Sequence, residues 1–252
     1  MSLPLLSISI VSHDSAEQVG SLLESLAGHE DRSRIQLILT ANLGEDLPVV
    51  DPSAWGSLVT LRNERPRGFA ANHNAAFRHA AHDFFCILNP DVILLEPVFT
   101  SLTGRILAGE ADVLAPLAVD ASGEIQDSFR PLPTPLELIR RRTVGGKAPC
   151  VQGAELIPTD WLAGFFLLMP SRLYAELGGM DERFRLYLED VDLCTRARLK
   201  GCSIRLDPTL RFRHDARRAS RDDLRFLLWH LASAVRFFAS PVYRQARQRS
   251  RN

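Results

Sequence analysis

Cysteine is scarce in this sequence and poorly placed for cross-linking or zinc. The four residues, Cys86, Cys150, Cys194 and Cys202, form no C-x-x-C pair. A zinc site and a disulfide framework are therefore not expected, and a reducing, cytoplasmic setting fits best. No apolar run reaches the roughly 18 residues of a membrane span. The opening "MSLPLLSISIVSHDS" has neither a basic n-region nor a small-residue cleavage site, so no signal peptide is expected. Neither charge predominates, with 30 Lys+Arg against 30 Asp+Glu, and overall charge gives no reason to expect nucleic acid. No G-x-G-x-x-G follows the first apolar segment, which argues against a dinucleotide-dependent oxidoreductase. There is no internal repeat and no low-complexity linker.

What is present is the balance of an ordinary globular protein: 252 residues, 46% hydrophobic and 24% charged. That length can bury a sizeable core. Charge is uneven along the chain. Residues 211–252 hold 11 Arg against 3 Asp, a net of 11 − 3 = +8.

The hydrophobic rhythm predicts alternating strands and helices. Segments 5–13, 35–42, 58–63 and 84–94 read as strands, the last interrupted by Asn89-Pro90-Asp91. Between them, Asp14 and Glu17 resemble a capping box before a helix with Val19, Leu22, Leu23 and Leu26 on one face. A second helix, 68–81, is entered through Gly68, and a third follows at 97–109. Such alternation implies an α/β sheet with parallel strands, whose ligands sit at the strands' carboxyl ends. Beyond 111 the spacing predicts a strand, a turn and a second strand, then a long loop with one short helix. A buried strand at 161–170 and a helix stopped by Gly178 and Gly179 come next. A helix from about 189 to 200, extended chain to His214, and a last helix ending near Ser240 complete the reading.

Two acidic stretches stand out. Asn89-Pro90-Asp91 puts a carboxylate at the mouth of the sheet on a turn stiffened by proline. It is either a strand-end turn or a ligand for a hard divalent cation. Glu189, Asp190 and Asp192 begin a helix, where acids complement the macrodipole by about 0.3–1 kcal/mol each. Helical neighbours point about 100° apart, so one acid can face a site while another faces the scaffold.

Taken together, "NERPRGFAANHNAAF", "ILNPDV", "WLAGFFLLMPSRLYAELGGMDERFRLYLEDVDLCTRARLKG" and "RFRH" resemble family 2 glycosyltransferases of the GT-A fold, in their rhamnosyltransferase-like branch. The resemblance covers residues 5–215. It implies a Rossmann-like nucleotide-sugar-binding sandwich on a mainly parallel mixed sheet, with a donor half at about 1–110 and an acceptor half at about 111–215. Residues 216–252 would add an amphipathic helix and basic tail. The resemblance implies that Asp190 is the general base, with Glu189, Trp161 and Gly164 at the acceptor. Arg67, Gly68, Asn74, Asn89 and Asp91 would line the nucleotide-sugar site. Asp91 and His214 would hold Mg²⁺ or Mn²⁺. The implied reaction is an inverting transfer from a nucleotide diphosphate sugar, with rhamnose favoured, to a glycan or lipid-linked glycan. A carboxylate of ordinary pKa, near 4, is a weak base toward an alcohol, but the hydroxyl becomes acidic as its new bond forms.

Four departures qualify the match, one of them Asn89 in place of the first acid of the family's D-x-D motif, where this branch often has Asn. Ala41 stands where relatives usually carry an Asp that contacts base or ribose, His13 where an aromatic is usual, and Ala76 where a glycine is common. Ala41 keeps open a rival reading: a nucleotide-sugar-binding paralogue without turnover that acts as a partner or scaffold. A glycosidase is less suitable, because it needs carboxylates about 5–10 Å apart flanking the bond, and Glu189 and Asp190 are adjacent.

The last helix carries Leu224, Leu227, Leu228, Leu231, Val235 and Phe238 at helical spacing, flanked by Arg221, Arg225 and Arg236. Two readings apply: core packing with a disordered basic tail, or peripheral contact with the inner face of the cytoplasmic membrane.

Overall fold

A computed structural model describes residues 5–144, 151, 153–214 and 224–249. Cys150, Arg221 and the last three residues of the tail lie outside them. In chain order the elements are β1 (Leu6–Ser12), α1 (Ala16–His29), β2 (Ile35–Ala41), β3 (Ser57–Arg62), α2 (Phe69–Phe77), β4 (Phe84–Leu88), β5 (Val92–Leu94), α3 (Phe99–Leu107) and β6 (Val113–Val119). They continue with β7 (Phe129–Arg130), α4 (Pro135–Val144), β8 (Ile157–Pro158), β9 (Trp161–Leu162), β10 (Phe166–Pro170), α5 (Ser171–Glu176), α6 (Glu189–Leu199), β11 (Ile204–His214), α7 (Leu224–Ala239) and α8 (Pro241–Arg249).

One mixed sheet runs in the order β3-β2-β1-β4-β10-β6-β11-β5, with β8 also on β11; β7 and β9 form a separate pair. Strands β1 to β4 are parallel, and so is β6 to β11, while β10 is antiparallel to both of its neighbours. β1, β2, β4 and β6 are buried almost throughout; β4 and β6 are apolar on both faces, as strands covered on both faces can be, whereas β1 and β2 also bury Ser7, Ser9, Ser12, Gln36 and Thr40.

The structure revises several expectations. The 84–94 segment is two strands, not one. β5 leaves β4 at Asn89 and pairs with the end of β11, His214 opposite Val92. The four Cα–Cα steps from Leu88 to Val92 reach at most about 14 Å, whereas four strand spacings in a flat sheet need about 19 Å. The sheet therefore curls, and the curl carries Asp91 to His214. The 161–170 segment is also broken, because Ala163–Phe165 leave the β7–β9 pair before β10 joins the main sheet. The strand expected after the 120–123 turn is reduced to an isolated bridge, Val119 to Ile125, and the two residues of β7, which pair with β9.

The capping box does not form. Asp14 is left-handed at φ 57°, and its N–H donates to Glu45 from the loop after β2. The helix starts instead from Ser15, without a side-chain cap. The described part of the basic tail is the helix α8, which packs through Ala246 with Phe184, Leu188 and Phe237. On α7 the buried residues are Ser233, Ala234 and Phe237. Leu224, Leu228, Leu231 and Val235, on the face read either as core packing or as a membrane contact, are exposed. No helix among the described residues is long and apolar enough to cross a membrane.

Candidate active site

The second acidic stretch resolves into separate roles. Asp192 is buried and faces the scaffold, where Arg196 Nε meets its Oδ2 at 2.7 Å. Asp190 turns the other way. Its Oδ2 accepts the Gly164 N–H at 2.9 Å and its Oδ1 the Val191 N–H at 2.8 Å. As a residue it is half-buried. Burial raises its pKa, offset in part by those two N–H groups. The ordinary carboxylate pKa expected from sequence thus becomes a raised one. Glu189 is only 4% exposed. Its Oε2 has no hydrogen-bond partner. Burial and the adjacent Asp190 charge push its pKa up to about 8.

Glycine makes the approach of Gly164 to Asp190 possible. A Cβ at 164 would lie 3.3 Å from Asp190 Cβ and 3.4 Å from the Phe69 ring. Gly68 is tighter still, since a Cβ there would come within 2.8 Å of Arg185 O. That carbonyl accepts the Phe69 N–H at 3.0 Å, joining the start of α2 to the turn before α6.

The neighbouring dipeptide position leads to Asp91. Phe165 O accepts the Asn89 N–H at 2.9 Å. The Phe165 ring stacks on His214 at 4.1 Å between centroids. His214 Nε2 lies 3.4 Å from Asp91 Oδ1, and that oxygen is buried without a hydrogen-bond partner. His214 Nδ1 lies 3.2 Å from Gln126 Oε1, which leaves Nε2 turned toward the carboxylate; as the neutral tautomer with its proton on Nδ1 it would offer a lone pair there. Two electron-pair donors facing each other, one an orphaned carboxylate oxygen, fit a hard or borderline divalent cation. Among the described residues no group of three or more His, Cys, Asp or Glu side chains could hold a metal. Oxygens from a ligand would have to complete such a site.

The third part is an amide network that sequence reasoning missed. Asn42 Oδ1 accepts the Arg67 N–H at 2.8 Å and Asn63 Nδ2–H at 2.8 Å. Asn42 Nδ2 donates to Arg67 O at 3.0 Å and faces His13 Nδ1 at 2.8 Å. Because the Arg67 backbone fixes the orientation of the Asn42 amide, His13 Nδ1 is the acceptor and the exposed Nε2 carries the proton. Asn72 closes the network through Asn63 and Arg67 O. Polar residues directly after apolar strands were the available signal. Ala41 itself is fully buried and contributes only packing.

Other predicted residues lie elsewhere. Asn74 donates to Met180 O and Glu182, and accepts from Tyr174 OH and Met180 N–H. Those four bonds occupy its amide on the 174–182 segment, apart from the Asp91 and Asp190 groups. The Arg67 guanidinium reaches toward Glu182 at 3.8 Å. Trp161 is half-buried between the two apolar clusters, and its Nε1 is without a partner.

A model of the family "Glycosyl transferase family 2" matches residues 7–157. Rhamnosyltransferase WbbL of Escherichia coli (strain K12) is 25% identical over 252 residues, covering 92% of each chain. An N-acetylglucosaminyl-diphospho-decaprenol L-rhamnosyltransferase of Mycobacterium tuberculosis (strain CDC 1551 / Oshkosh) is 29% identical over 140 residues, 51% of this chain and 46% of the relative. Among solved structures, GalNAc-T7 with UDP, GalNAc and Mn²⁺ superposes with a TM-score of 0.61 at 16% identity, over 84% of this chain and 44% of that one. The curled, mostly parallel mixed sheet is the GT-A fold that the sequence resemblance implied.

Proposed function

Because this chain belongs to glycosyl transferase family 2 and is a rhamnosyltransferase-like glycosyltransferase, we propose that it moves rhamnose from a nucleotide diphosphate sugar to a hydroxyl of a lipid-linked glycan, with inversion, during surface-polysaccharide synthesis. The observation that carries this reading is the placement of Asp190 and the Asp91–His214 pair on adjoining residues, Gly164 and Phe165. One group is suited to receiving a proton and the other to the charged end of a donor. In this reading the donor half spans about residues 1–110 and the acceptor half about 111–215.

The acceptor oxygen bonds to the anomeric carbon as the bond from that carbon to the diphosphate breaks. The hydroxyl proton passes to Asp190, and the nucleoside diphosphate leaves with the bonding electrons. Asp190's raised pKa makes it a stronger base than an ordinary carboxylate while its two N–H partners hold it in line. Glu189, held neutral by burial, adds no second negative charge beside it. Asp91 and His214 would hold Mg²⁺ or Mn²⁺. Such an ion, when bound, supplies charge neutralisation for the departing diphosphate. The Asn42–Asn63–Asn72 network sets the Arg67–Gly68 segment at the nucleotide side.

Buried Ala41 favours a second reading, nucleotide-sugar binding without turnover. One experiment separates the two: incubation with dTDP-rhamnose, Mn²⁺ and lipid-linked acceptors, following both release of nucleoside diphosphate and glycosylated lipid. Binding of the donor without either product supports the second reading and overturns the first.

A further inference from the structure

The turn that delivers Glu189 and Asp190 is held from the C-terminal helix. Ser233 Oγ donates to Leu186 O at 2.8 Å. The Arg185 guanidinium lies 4.5 Å above the Trp229 ring. The Tyr187 and His230 rings are 5.1 Å apart, and Leu188 clusters with Ala234 and Phe237. Each residue of 185–188 thus meets α7. The turn needs such support, because Tyr187 at φ 73° and Leu188 at φ 67° are consecutive left-handed residues and neither is glycine. Backbone of that kind persists only where its surroundings over-determine it.

The opposite side of α7 is exposed among the described residues. Leu224, Leu228, Leu231 and Val235 are 67%, 55%, 49% and 70% exposed. At about 100° per residue their stripe points away from Ser233 and Phe237. Exposed Arg225 and Arg236 border it, and Arg244 and Arg249 are exposed on the adjoining α8. A second copy seated on this stripe would bring like charges together, since residues 211–252 carry the net +8 noted above. An anionic bilayer complements both the apolar stripe and the arginines.

We propose that α7 docks by this stripe on an anionic lipid surface and that docking steadies the 185–188 turn, so that Trp229 and Ser233 are positioning residues for Asp190. The functional consequence rests on the reading of Asp190 as base, but the contact and the coupling can be measured without turnover. Full-length protein is mixed with vesicles of phosphatidylglycerol and phosphatidylcholine in equal parts, or of phosphatidylcholine alone. Co-sedimentation and amide hydrogen exchange are then followed.

The expected result is sedimentation with the mixed vesicles only, and exchange at 185–191 slowed at least about tenfold on binding. The Leu228→Glu/Leu231→Glu double variant keeps its melting temperature but loses sedimentation. Trp229→Leu still sediments and melts normally but loses the slowed exchange, and Trp229→Phe, which keeps a ring under Arg185, restores it. Equal partitioning onto both vesicle types, or a dimer in solution that the double variant abolishes, would overturn the lipid surface. Exchange at 185–191 that is indifferent to vesicles would overturn the coupling. An Asp190→Asn control separates the readings, since retained transfer there removes the base assignment and leaves the exchange result standing.

Discussion

Gly164 donates its N–H to Asp190 at 2.9 Å, at a place where even one added methyl would press on Asp190 Cβ. The expected effect of Gly164→Ala is a displacement of the carboxylate by a few tenths of an ångström. Small misplacements of this kind slow bimolecular chemistry by about 10- to 100-fold. Turnover should fall by that amount while donor affinity stays near wild type, as steady-state kinetics beside a donor titration would measure.

Asp190→Asn removes the proton acceptor but keeps the shape. Turnover should drop at least about 100-fold, roughly 2.7 kcal/mol of barrier. In the wild type the rate should decline as pH falls through an ionisation above the usual Asp range, because the base works only when charged and burial raises its pKa. A variant retaining a tenth of the wild-type rate would remove Asp190 from the mechanism.

Asp91→Ala should abolish divalent-dependent binding of the nucleotide diphosphate. Calorimetric titration with and without EDTA is the measurement. Binding by the wild type that is indifferent to EDTA would mean that Asp91 and His214 hold no cation for the donor.

Glu189 makes a prediction about stability. Its folded pKa, about 8, lies above the ordinary value of 4.5. Between those values the folded state keeps a proton that the unfolded chain releases, so stability should fall as pH rises through this window. Glu189→Gln has no proton to lose and should flatten that decline, with its greatest advantage over wild type above about pH 8. Urea midpoints across the window test the sign; parallel profiles for the two proteins would contradict it.

Asn42→Ala should cost about 1–3 kcal/mol, because the Arg67 N–H and the Asn63 amide lose their partner in a buried site. Donor affinity should weaken as the Arg67–Gly68 segment loosens. Unfolding and donor titration of the same variant measure both.

The sequence by itself determined the alternating architecture and the acids. Runs such as Phe84–Leu88 and Val113–Val119 are apolar on both faces, and only covered strands can be so. Its motifs also carried the family, which the family model matches over residues 7–157. The tertiary structure decided which groups meet. Sequence spacing is silent on curl, and curl brings Asp91 to His214 although 123 − 1 = 122 residues lie between them. Asn42 and Asn63 offered only the weak signal of an amide directly after a strand, which points to no role until partners converge on it. α7 shows the same limit from the other side. Periodicity located its Leu224–Val235 stripe correctly, yet an apolar stripe has no intrinsic preference between core and outer surface. Packing of Ser233, Ala234 and Phe237 against the 184–188 segment decided that, because small residues let the helix approach the turn closely while the leucines face outward.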